Sequence, residues 1–522
     1  MTLGEGGERP ARPARRRSSR SRRGKGERTD QRRTLAARSN DIAVGLRKVL
    51  ADPAWRFPLS SRPLPVWLAA GGISAGMAFR AFDGLAGQAC AALINGLLFY
   101  TALLCAPAMP GFWRRAARPL ACAGAAVLWA LVATIGVSGG MPDYLPGKLL
   151  SLAAAFCALM TGAMMARGRR RLRAILDWLL LVNMALFALA LAARQAGIEQ
   201  DTDLWQLTVK GRFAGFASNA NVSAVIAACC ALIAFVRMTG RQRTPAWMSA
   251  RLRHFPIHLL FFTLSSGVVL ITGSRFTLVL LTAVLLVYLV HWMRRKRVTR
   301  WRLMLAGGAV FVQIALAFLF SAVVMQRYAQ LEAGWDDRFA SWAHLWDVAW
   351  QQPWLGYGLG SFPSVNAHFL TTPRYAQANW AVNSAHNIGL QLMLQGGMPY
   401  TLLMIATFGV GGWQVARIMR QRWTRDTGLV LAMMGLLLAA GMIDLTLDMP
   451  APLSLFLFLA GLLWGQALDR REIRVAAADG QPFDHEGTIG VGLPDLRDQA
   501  VAIGKLPARQ PHHLANGNGA DV

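Results

Sequence analysis

Apolar stretches close to twenty residues long recur along most of this 522-residue chain. Each is long enough to cross a hydrocarbon core of about 30 Å as a helix. Such a segment is either buried on every face inside a soluble protein or placed in lipid. Only 16% of the residues are charged and 54% are hydrophobic, whereas soluble domains carry about 25% charged residues. The pattern predicts an all-α polytopic membrane protein with about twelve transmembrane helices. They fall at roughly 64–80, 85–106, 118–137, 148–166, 174–193, 219–238, 255–272, 275–293, 302–325, 386–411, 427–444 and 451–468. The first is the weakest, being rich in glycine and ending at Arg80. The first sixty residues hold no apolar segment, so no signal peptide is expected.

A net charge of +28 raises the question of a nucleic-acid partner, but its distribution answers differently. Residues 1–63 carry 17 Lys/Arg against 6 Asp/Glu. Other basic runs sit in connections two spans apart: "RGRRRLR" at 167–173, "RMTGRQR" at 237–243, "RRKRVTRWR" at 294–302 and "RIMRQRWTR" at 417–425. Positive connections stay in the cytoplasm, which places these inside together with both termini. Residues 1–63 then form a basic, disordered tail against anionic membrane lipids, and no nucleic acid is expected. Residues 471–522 are polar, lack a helical stripe and are expected to be a second disordered cytoplasmic tail. Residues 64–470 form the membrane domain. The six cysteines all fall inside spans, so neither a disulfide framework nor a metal site is expected.

The remaining connections then face outward, and that of 326–385 is far longer than helix connections normally need. Within it, "DDRFASWAHLWDVAWQQPWLGYGLGSF" spaces Phe339, Trp342, Trp346 and Trp350 as one face of a helix. Asp336 and Asp337 suit its start and Pro353 its end. Six of the 18 tryptophans lie in this loop, which fits an aromatic belt at the membrane surface or stacking on a sugar or lipid carrier. Gly356, Gly358 and Gly360 follow an amphipathic helix and not a strand, which excludes a dinucleotide-binding loop. Arg212, Arg275 and Arg338 oppose the inside rule. Each either snorkels to headgroups, pairs with a carboxylate or grips an anion such as a phosphate. His386, between Asn383 and Asn387, opens the tenth span. A histidine there is a helix-cap residue or a base that takes a proton from a hydroxyl near neutral pH. His344 and His368 are weaker candidates, on the loop helix and in irregular loop. Asp444 and Asp448 fall at the outer end of the eleventh span.

Two segments, "DDRFASWAHLWDVAWQQPWLGYGLGSF" and "AHNIGLQLMLQGG", resemble the large outer loop of the O-antigen ligase/polymerase superfamily of bacterial membrane glycosyltransferases. The matching positions are Arg338, Trp342, Pro353, Gly356, Gly358, Gly360, Phe362, His386, Asn387, Leu390 and Gly397. "GRFAGFASNANVSA" and "GSRFTLVLL" are similar to family segments at Arg212, Gly215, Asn219, Asn221, Ser274 and Arg275. The resemblance covers about residues 205–410. Gln395 departs from it, standing where many members have an acidic residue, and the basic tail is atypical.

The resemblance implies a GT-C-like membrane architecture and a metal-independent, cofactor-free, inverting transfer. The donor it implies is a glycan on undecaprenyl pyrophosphate, passed to an acceptor glycan or lipid at the periplasmic face of the bacterial inner membrane. It implies that His386 is the base, with Arg338 as a second catalytic group. Arg212 and Arg275 would be the diphosphate clamp, supported by Asn387, Asn383, Trp342, Gly356 and Gly358. Ligase is preferred over polymerase. A flippase for the lipid-linked glycan would need ionisable groups along a mid-membrane path or repeated halves. A non-catalytic subunit of a polysaccharide export complex would not need the His386–arginine set.

Overall fold

The computed structural model describes residues 69–74, 85–105, 112–137, 144–165, 168–197, 207–209, 211–217, 219–239, 249–293, 331–370, 382–420 and 423–478, with single positions between 304 and 380. Both expected tails lie outside the described residues, except that the last helix continues through Ala478, past the boundary expected at 470.

Twelve helices are numbered here in chain order: α1 (Leu85–Cys105), α2 (Phe112–Gly136), α3 (Leu145–Met165), α4 (Gly168–Gln195), α5 (Ala220–Thr239), α6 (Ser249–Ile271), α7 (Arg275–Met293), α8 (Leu331–Gln351), α9 (Phe362–His368), α10 (Ile388–Met419), α11 (Arg425–Ile443) and α12 (Pro450–Ala478). Seven of them, α2–α5 and α10–α12, are long and apolar enough to cross a membrane, and α1, α6 and α7 contain shorter apolar stretches. The chain is an all-α polytopic membrane protein. The first expected span is described only at 69–74, which is helical, and that of 302–325 lies almost wholly outside the described residues. Among the described residues the strands are confined to a hairpin before α5, where β1 (Thr208–Val209) pairs antiparallel with β2 (Arg212–Phe213).

α5 is the axis of the fold. Every residue from Ala220 to Thr239 is buried except Asn221, and α4, α6, α7 and α11 pack against it. Its sequence, ANVSAVIAACCALIAFVRMT, is dominated by small and β-branched residues that let neighbouring helices approach closely. Cys229 and Cys230 belong to this packing, and both are free thiols.

At the end where α4 and α11 begin and α5 ends, Arg237 is paired with Asp177 and, at 2.6 Å, with Asp426, while Arg173 reaches Asp426 at 3.6 Å. The opposite ends of α5 and α11 carry Asn221 and Asp444. α11 therefore runs 19 residues, roughly 28 Å of helix, between two polar clusters. That is close to the thickness of a hydrocarbon core.

α3 and α12 meet backbone to backbone. A Cβ on Gly162 would strike the Phe458 carbonyl oxygen, one on Gly461 that of Leu159, and one on Gly465 that of Ala163. Spacing of Gly461 and Gly465 by one turn produces this close seam. Gly435 on α11 has nothing within 4 Å of an added Cβ. Gly461→Leu should therefore cost about 1–3 kcal/mol or more through overpacking. Gly435→Ala should be neutral or gain about 0.5–1 kcal/mol in helix propensity. Thermal unfolding of the two purified variants in detergent measures both.

Candidate functional site

The loop 331–370 folds onto the bundle end that carries Asn221 and Asp444. Its helix α8 begins at Leu331, not at Asp336–Asp337 as expected, because Leu331, Glu332 and Ala333 ahead of the aspartates are good helix formers. α8 ends at Gln351, just before Pro353. One face buries Leu345, Val348 and Ala349 against Phe362 and Val365 of α9 and Leu390, Met393 and Leu394 of α10. The other exposes Phe339, Trp346 and Trp350, with edge-on pairs Phe339–Trp342 at 5.6 Å and Trp346–Trp350 at 5.8 Å. Residues 362–368, expected as irregular loop, are helical with Pro363 near the start, where its missing N–H costs nothing. They end at the exposed His368, while His344 is half-buried on α8.

The glycines of the loop are places where backbone meets backbone. α10 is broken at Gly397 (φ 71°), and the loop fills the break: the Tyr357 N–H donates to the Leu394 carbonyl and the Met398 N–H to that of Pro353, both at 2.7 Å. A Cβ on Gly356 (φ 62°) would lie 2.6 Å from the Leu394 oxygen, and one on Gly358 (φ 92°) 3.2 Å from Thr134 Cα of α2. Both glycines let the loop backbone seat closely against the bundle.

His386 has φ 51°, making it the sole non-glycine residue with positive φ among the described residues. That conformation costs of order 1–3 kcal/mol and persists where the surroundings over-determine it. Here they do so on both sides. The Ala385 N–H donates to the Gln391 side chain at 2.8 Å, and the Ala385 carbonyl accepts from Trp342 Nε1 at 3.2 Å. Asn387 caps α10, its Oδ1 accepting from the N–H groups of Gly389 and Leu390. Asn383 is exposed on the approach.

So held, the imidazole places Nδ1 2.8 Å from Asp444 Oδ1. The Asp444 carboxylate follows the C-terminus of α11 and also accepts from the Leu445 N–H at 2.8 Å and from Asn221 Nδ2. Asn221 Oδ1 accepts in turn from Arg212 at 2.6 Å, and Arg212 Nε donates to the Thr272 carbonyl at 2.7 Å. Arg212 is thus anchored to the tight turn between α6 and α7 at Thr272, three residues before the half-buried Arg275 that opens α7. Arg338 donates to the Ile443 carbonyl at 2.9 Å. Arg212, Arg338 and His386 therefore converge on one carboxylate or its immediate neighbours, and Arg275 adjoins the Thr272 anchor. Lys148 pairs with Asp448 at 2.6 Å on the same turn after α11. Sequence reasoning did not select Lys148.

Asp444 is the group that reasoning from sequence left unassigned. Burial alone would raise its pKa. The hydrogen bond and charge of His386, the charge of Arg338 and the Leu445 N–H outweigh it and hold the carboxyl below the ordinary 3.8. An ionised carboxylate only accepts, so Nδ1 of His386 is the donor of this bond, and in the neutral ring the lone pair falls on Nε2. The imidazole side chain is 29% exposed and the carboxylate 8%, so the ring is the more accessible member of the pair.

With this geometry in view, the comparisons with known proteins are specific. Residues 259–406 match the family model described as O-antigen ligase. That segment contains Arg275, Arg338, Trp342, the glycine turn and His386. Over this segment the chain is similar to the O-antigen ligase family. An O-antigen ligase of Pseudomonas aeruginosa is 29% identical over 167 residues, covering 31% of this chain and 36% of the relative. The alignment thus spans about a third of that relative's length. Arg212, Asn221 and Asp444 lie outside the segment matched by the O-antigen ligase model and are joined to it by folding.

Asp444→Asn sets an amide N–H₂ among three donors and should cost about 1–3 kcal/mol. Because the folded carboxyl titrates below its unfolded value, the stabilisation is complete above about pH 4. It is lost as pH falls through the depressed value. Melting temperatures of wild type and Asp444→Asn should therefore differ at pH 7 and converge in acid.

Proposed function

We propose that the protein transfers a glycan from undecaprenyl pyrophosphate to an acceptor hydroxyl, as a ligase, at the outer face of a bacterial inner membrane. The observation that carries this reading is the His386–Asp444 pair, one hydrogen bond from Asn221 and two from Arg212. With an orienting carboxylate on Nδ1, the neutral imidazole offers the Nε2 lone pair, the arrangement a general base requires. In the reaction, Nε2 takes the acceptor hydroxyl's proton as its oxygen attacks the anomeric carbon. The bond from that carbon to the diphosphate oxygen breaks with inversion, and undecaprenyl pyrophosphate leaves with the bonding electrons. Arg212 and Arg275 hold the diphosphate, matching its oxygens with planar forks and neutralising the charge that develops on departure. Arg338 fixes the end of α11 and adds positive charge beside Asp444.

The orientation rests on charge. The basic connection at 167–173 and the Arg173–Asp177–Arg237–Asp426 cluster lie at the bundle end opposite His386. With basic connections cytoplasmic, both termini are inside and the site is periplasmic. The exposed indoles of α8 then lie at headgroup level, where one face of the helix can accompany a lipid-linked substrate.

The test is reconstituted transfer from an undecaprenyl-pyrophosphate-linked oligosaccharide, scored both as acceptor-linked glycan and as lengthened carrier-linked glycan. His386→Ala should lower kcat by about 10²–10⁴-fold, and Arg275→Ala should raise the donor KM and lower kcat. Undiminished turnover in folded His386→Ala would remove the base assignment. Lengthened carrier-linked product alone would make the enzyme a polymerase, and movement across the bilayer without transfer would make it a flippase.

A further inference from the structure

Asn221 stands apart from the rest of α5. It is the one residue of that helix not fully buried, and its amide touches two groups with different roles in the proposed reaction. Oδ1 accepts from Arg212 and Nδ2 donates to Asp444 Oδ2. Its backbone is fixed separately, since the N–H groups of Asn221 and Val222 both donate to Asn219 Oδ1 at the helix start. An amide is the side chain that can serve this position without charge: one end must accept from a guanidinium and the other must donate to a carboxylate. A carboxylate would put like charges together, and an aliphatic chain would leave both partners short of a bond.

We propose that Asn221 is a positioning residue that joins the donor-binding guanidinium of Arg212 to the carboxylate that orients His386, so that diphosphate grip and base geometry are set by one amide. This rests on the reading of His386 as base and Arg212 as diphosphate ligand. The charged and titratable groups around the amide are Arg212 from β2, Asp444 after α11, His386 before α10 and Arg338 from α8. A negative charge introduced at Asn221 joins that of Asp444 and holds the proton on His386 more tightly. The acid limb of kcat/KM then moves to higher pH.

The experiment uses the full-length protein in nanodiscs with two variants and two readouts. Binding is measured with undecaprenyl pyrophosphate alone. Turnover is measured as its release from an undecaprenyl-pyrophosphate-linked oligosaccharide, with total bacterial membrane glycolipid as acceptor. Asn221→Asp is isosteric and keeps the acceptor for Arg212. It should bind undecaprenyl pyrophosphate as wild type does, while its acid limb moves up by about one pH unit. Asn221→Ala should weaken that binding and lower kcat, each by about tenfold. A folded Asn221→Asp with an unmoved limb overturns the proposal, as does an Asn221→Ala that changes neither readout. Activity surviving in His386→Ala overturns the base reading itself. Loss of activity in His386→Ala together with an unmoved Asn221→Asp limb overturns the role of Asn221 alone.

Discussion

A helix buried along its whole length in a membrane protein can carry polar function only at its ends, and α5 is such a helix. Its backbone groups are satisfied internally, as they must be in hydrocarbon. Its small side chains admit α4, α6, α7 and α11 at close range, and Asn221 and Arg237, the positions that gather its polar clusters, sit about 24 Å of helix apart. Arg237 collects Asp177 from α4 and Asp426 from α11, and Asn221 collects Arg212 and Asp444. The same two helices, α5 and α11, thus carry both clusters. Their relative height is fixed by polar contacts at both ends, so sliding one past the other breaks a buried ion pair at one end and the candidate site at the other. Breaking a buried pair costs about 3–5 kcal/mol.

The spans that the described residues cover were legible because a single property, sustained apolarity, decides them. His386 and the three arginines drew notice for the converse reason: a polar group in an outward connection or at a span end stands out against the apolar run beside it. Asp444 also fell at a span end, yet its role was not readable. Its partner lies 58 positions away, and the contact depends on α10 and α11 packing side by side, which neither sequence segment encodes. Asn221 was visible only as one position in a family-like segment. Its use as a bridge requires knowing that the Arg212 hairpin folds against the turn after Thr272.

The glycine-rich turn teaches a related point. Three alternating glycines after a helix look like a device for approaching a phosphate. What they approach is this chain's own backbone, at Leu394, Thr134 and Tyr144. The break at Gly397 was equally hidden, since a continuous apolar pattern gives no warning that another segment supplies the hydrogen bonds of an interrupted helix. Gly397 tolerates the break by its positive φ, and the Pro353 carbonyl and Tyr357 N–H satisfy the groups it frees.

These supports converge on a residue whose own conformation is unfavourable. A histidine at φ 51° relaxes unless its neighbours forbid it. Ala385 is held at its N–H by Gln391 and at its carbonyl by Trp342, and Asn387 is committed to capping α10. Rotation at His386 would have to break one of these bonds or forfeit Asp444. The strain is thus carried by α8 and α10 jointly, and α8 is itself locked to α10 through the loop seated at the Gly397 break. The indole of Trp342 accordingly serves two ends, packing the loop helix onto the bundle and fixing the backbone that aims the imidazole. A change at Trp342 that preserved the apolar contact but removed the N–H would release His386 while leaving the helix in place.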